Sequence, residues 1–83
     1  MIDLTHITKD EANWILNDYN KIRNHSYING YINEHVKFQS IIRNKKIERP
    51  GCGCEFATFQ AISNSLYDQH YDAIKAIVDS QNT

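Results

Sequence analysis

The stretch Thr8-Lys9-Asp10-Glu11-Ala12-Asn13-Trp14-Ile15-Leu16-Asn17-Asp18-Tyr19-Asn20-Lys21-Ile22-Arg23 decides the fold class. Thr8 and Glu11 stand at capping-box spacing, in which a threonine hydroxyl and a glutamate carboxylate each satisfy an orphan backbone N–H at a helix start. Ile7, just before the cap, is placed to pack on Ala12 as a hydrophobic staple. Apolar residues then recur at Ala12, Ile15, Leu16, Tyr19 and Ile22, in steps of three and four that share one helical face. Asp10 and Glu11 open the segment and Lys21 and Arg23 close it, which complements the helix dipole at both ends. The pattern predicts a helix over about 9–24.

Working outward, residues 25–33 support two readings. Asn29-Gly30 between Tyr27-Ile28 and Tyr31-Ile32 is a hairpin signal, giving a short hairpin at 27–32. The same residues also fit a helix, since glycine inside one is unfavourable by only about 1 kcal/mol relative to alanine. An isolated hairpin of this length is marginal, so a turn at Asn29-Gly30 is expected, then a helix over about 32–46 burying Ile32, Val36, Phe38, Ile41 and Ile42. Residues 47–54, Ile-Glu-Arg-Pro-Gly-Cys-Gly-Cys, hold the only proline and two of the three glycines, and read as the main loop. A third helix is expected over about 55–80, with Phe56, Phe59, Ile62, Leu66, His70, Ala73 and Ile77 as its apolar line. Ser63 to Asp68 carries side chains that weaken helix interiors, so a break there is a further expectation. The fold class is all-α: a single domain spanning 1–83, built as a small bundle of three main helices.

Composition agrees. The chain has 83 residues, 41% hydrophobic and 23% charged, with a formal net charge of −1. It is too short for a typical two-domain enzyme and too apolar for a disordered chain. It shows neither an apolar run of membrane-spanning length nor a secretory leader, so a soluble, cytoplasmic protein with no membrane contact is expected. Ile, Asn, Lys and Tyr fill 32 of the 83 positions. All four have A/T-rich codons, which points to an AT-rich genome such as that of a phage or mobile element, acting in a bacterial host.

Three features could carry function. The first is Cys52-Gly53-Cys54. A bridge between cysteines one residue apart is expected to be strained and closes almost no loop, which argues for free thiols. Thiolates are good zinc ligands, and His35 and His70 could complete a tetrahedral site with Cys52 and Cys54, although the spacing departs from the usual two to four residues. Zinc is therefore the one cofactor to consider. The second feature is charge. Lys37, Arg43, Lys45, Lys46 and Arg49 face only Glu48 within 37–54, whereas Lys75 faces Glu55, Asp68, Asp72 and Asp79 beyond it. The basic stretch suits phosphate or nucleic acid, or an acidic patch on another subunit. The third is a second apolar stripe on the last helix, Tyr67, Tyr71, Ile74 and Val78, which suits an interface because tyrosine is both apolar and polar.

No catalytic constellation stands out, and so small a chain has little room for a substrate pocket. The expected function is a non-enzymatic interaction protein, of adaptor or inhibitor type, working as a homo-oligomer or on a protein partner. A zinc-stabilised mini-domain and a phosphate or nucleic-acid binder are the alternatives.

Overall fold

The computed structural model describes residues 4–80 and shows an all-α bundle of three helices. Helix α1 starts as Lys9–Trp14, widens into a π-helical turn at Ile15–Tyr19 and closes as Asn20–Ile22. Its capping box is formed: Glu11 N–H donates to Thr8 Oγ1 (3.1 Å), and Thr8 N–H donates to Glu11 Oε1 (3.0 Å). Ile7 and Ala12, the two ends of the predicted staple, are both buried. In the wide turn Asn20 N–H reaches back five residues to Ile15 O. Asn17 Nδ2 meanwhile donates to Asn13 O (2.9 Å), so a side chain competes for the helical ladder just where it loosens.

Helix α2, Ile28–Arg43, begins and ends earlier than its sequence pattern suggests. Asn29 and Gly30 lie inside its first turn, so the hairpin reading of 27–32 does not hold. A three-helix core can bury one face of such a helix, whereas a lone hairpin buries almost nothing. A Cβ at Gly30 would come within 2.6 Å of the ring of Tyr27, which is itself exposed. The helix stops at Asn44, which adopts the left-handed conformation (φ 53°) that residues of its type tolerate best after glycine. Asn44 and Lys45 N–H groups then donate to the Ile41 and Ser40 carbonyls (3.4 and 3.3 Å).

After the loop, a short 3-10 turn, Gly53–Glu55, leads into α3, Phe56–Ser80. The expected break at 63–68 is absent. Ser63 spends its hydroxyl on the Phe59 carbonyl one turn back (3.1 Å), which keeps its polar group within the helix.

The core centres on Tyr19, which has no exposed surface. Its ring stacks on Phe38 (4.4 Å between centroids) and Trp14 (5.5 Å), and meets His35 edge-on (5.4 Å). On α3 the buried residues are Phe56, Ser63, Tyr67 and Ile74. The sequence places the buried line one step round, through Ile62 and Ala73, but both of those are exposed. Small Ser63 sits where bulky Gln39 approaches, so a polar residue takes the place that periodicity assigns to an apolar one.

Candidate functional site

A groove lies where the main loop meets α3. Residues 48–51 run alongside the first turns of that helix and leave a groove of about 560 Å³. Pro50, Phe59 and Ile62 supply apolar wall, Glu48, Arg49 and Glu55 supply charge, and Cys54 lies on its lip. Ile62 is 44% exposed, high for a residue of its kind.

The two cysteines are paired as a disulfide, with Cα atoms 5.3 Å apart, which corrects the expectation of free thiols. That separation is within the usual range for a bridge, because the extended Cys52 and the 3-10 turn after it bring the two side chains to one side. Cys54 N–H donates to Cys52 Sγ (3.4 Å), so Cys52 caps the turn that starts the α3 helical run. The four candidate zinc ligands do not converge. Among the described residues no group of three or more His, Cys, Asp or Glu side chains is placed to share a metal. His35 is instead buried beside Tyr19, while Cys52 and Cys54 are exposed.

The stripe Tyr67, Tyr71, Ile74 and Val78 is divided by the fold. Tyr67 and Ile74 belong to the chain's own core, Val78 is half-buried, and only Tyr71 faces out. Its periodicity is correct, but sequence cannot say which of two adjacent stripes turns inward. Tyr67 instead anchors a polar junction between α1 and α3. The Arg23 guanidinium lies 4.0 Å over its ring and donates to Asn64 Oδ1 (2.8 Å) and Asp68 Oδ1 (3.4 Å). Tyr67 O–H donates to Asn20 Oδ1 (3.0 Å), and Gln60 and Asn64 amides donate to the Arg23 carbonyl. Burial raises the Tyr67 phenol above its ordinary pKa, with Arg23 opposing.

A second polar cluster lies deeper, and the sequence reading missed it. Tyr19 O–H and His35 Nδ1 share a hydrogen bond (2.8 Å), and Gln39 Nε2 donates to Ser63 Oγ (2.8 Å). Burial drives the Tyr19 phenol far above its ordinary range and holds the His35 imidazole below its own, so both stay neutral. Its one sequence trace is that His35, Phe38, Gln39 and Ile42 share a face of α2, with two polar side chains among apolar ones.

The basic residues are all exposed, but they are not one surface feature. Lys37 lies 4.3 Å over the Trp14 ring, on the side of α1. Arg49 approaches Phe56 (5.9 Å). Arg43, Lys45 and Lys46 surround the end of α2, where cations complement the dipole.

Among the described residues no helix is long and apolar enough to cross a membrane. No protein-family model matches the chain, and neither the curated proteins nor the solved structures contain a match.

Proposed function

We propose that this chain is a small, non-catalytic interaction module of the cytoplasm that binds a second copy of itself through α3. The observation that carries the reading is the exposed Ile62 beside the loop groove. It is one member of a line, Phe59, Ile62, Leu66 and Ala73, whose steps of three, four and seven keep one helical flank. Phe59 and Leu66 are half-buried and Ala73 is exposed, so the flank is only partly covered by the chain's own fold.

A two-fold axis pairing two α3 helices antiparallel sets one Ile62 flank against the other, which is the self-complementary geometry of an isologous dimer. The small core favours such reinforcement.

Sedimentation velocity across a concentration series tests the reading. A dimer that dissociates on dilution is expected, and Ile62→Asp should give a monomer with unchanged helical circular dichroism. A wild-type chain that stays monomeric at about 100 µM, well above typical Kd values for specific contacts, rejects it.

A further inference from the structure

The Cys52–Cys54 bridge does little for the fold. A disulfide stabilises chiefly by restricting the unfolded chain, and the effect grows with the loop it closes. Here a single residue, Gly53, lies between the two cysteines, and both are exposed. The bridge joins no two helices. Its placement suits chemistry better than support.

The two sulfurs also differ. Cys52 Sγ accepts the Cys54 N–H and caps the Gly53–Glu55 turn that runs on into the long helix Phe56–Ser80. Amide donors and the positive end of a helix favour a thiolate. Cys54 lines the groove with Pro50, Phe59 and Ile62, where an incoming chain would lie.

From this asymmetry we infer that Cys52 and Cys54 form a reversible dithiol/disulfide couple that exchanges with thiols, with Cys54 the sulfur attacked and Cys52 the sulfur released. An incoming thiolate bonds to Cys54 Sγ and the Cys54–Cys52 bond breaks. The electron pair leaves on Cys52 Sγ as a thiolate stabilised by the Cys54 N–H. A second thiolate then attacks the incoming sulfur, forming the external disulfide and releasing Cys54 as thiolate. Two protons taken up by the chain complete the step. Two external thiols are oxidised to one disulfide as one protein disulfide is reduced to a dithiol, and the reverse reaction re-forms the bridge from an external disulfide. The chemistry is stoichiometric and goes beyond the self-association proposed above, without depending on it. In a reducing compartment, disulfides of this kind are transient and redox-responsive.

The test incubates the full chain in glutathione buffers of varied reduced-to-oxidised ratio, quenches with acid, and reads the intact mass after alkylation. A smooth, reversible passage between bridged and doubly alkylated forms is expected. A chain that remains bridged in pure reduced glutathione, or remains a dithiol in pure oxidised glutathione, overturns the couple. Cys54→Ser and Cys52→Ser, each checked for helical content, assign the roles. The lone Cys52 thiol should alkylate faster at pH 7 than the lone Cys54 thiol, and the opposite order overturns the assignment. A cysteine-bearing apolar peptide, run beside glutathione, identifies the source of the thiol. Faster exchange with the peptide that Ile62→Asp abolishes assigns the couple to protein thiols, and equal rates assign it to small thiols.

Discussion

Replacing Tyr19 by Phe removes a single oxygen from the middle of the bundle, and the structure allows its effect to be worked out. The Phe ring keeps the stacks on Phe38 and Trp14 (centroids 4.4 and 5.5 Å), so little packing is lost. What disappears is the 2.8 Å hydrogen bond to His35 Nδ1. His35 is fully buried and its Nε2 already has no partner, so both ring nitrogens become unsatisfied. A buried polar group left unpaired is destabilising by roughly 1–3 kcal/mol. In a domain of this size each kcal/mol lowers Tm by roughly 4–8 °C. Urea unfolding followed by circular dichroism at pH 7.5 measures it directly. His35→Leu alone should be destabilising by about 1 kcal/mol, because the buried Tyr19 hydroxyl loses its His35 partner and keeps only Ser63. The double variant removes both polar partners and should be no worse than either single change, a coupling of about 1 kcal/mol or more. A loss below about 0.5 kcal/mol for Tyr19→Phe, or single effects that simply add, would refute the claim that this pair is coupled through one buried hydrogen bond.

Three further outcomes follow from the same contacts. Burial holds the His35 pKa below its ordinary 6.5, with Glu34 opposing, so the folded chain binds fewer protons there than the unfolded chain. Stability should therefore fall as pH drops below about 6.5, by at most ~1.4 kcal/mol per pH unit from this group, and be insensitive to it above; urea midpoints at pH 7.5 and 5.0 should show a smaller difference in His35→Leu than in the wild type. Arg23→Lys keeps a cation near Asp68 but loses the flat stack on Tyr67 and the reach to Asn64, and should destabilise by about 1 kcal/mol in the same assay. Gly30→Ala forces the Tyr27 ring aside, but that ring is 64% exposed and free to swing into water, so the gain in helix propensity should prevail. A net stabilisation of about 0.5–1 kcal/mol is expected in thermal unfolding, and a net loss would show that the Tyr27 contact holds the start of α2.

The parts of this fold legible in the sequence are those set by local chemistry. The capping box at Thr8 and Glu11 is read from two residues, and it forms because each group satisfies an N–H within its own turn. The Pro50-Gly51 loop is legible for the same reason. What could not be read depends on which surfaces meet. The stripes Ile62–Ala73 and Tyr67–Ile74 are equally periodic on α3, and only the arrival of α1 at Arg23 and of α2 at Gln39 decides that the second is buried. That decision also determines the candidate site. With Tyr67 turned inward to carry Arg23, the tyrosine face offered as an interface shrinks to Tyr71, and the flank of Ile62 is left uncovered beside the loop. The cysteine pair shows the same limit in the other direction. Spacing alone counts against a bridge between Cys52 and Cys54, because it ignores the backbone between them. An extended residue followed by a tight turn brings their Cα atoms to 5.3 Å, within the reach of a disulfide. Local rules thus locate the loop and the helices, whereas the chemistry each can perform depends on backbone geometry and on which neighbour covers which face.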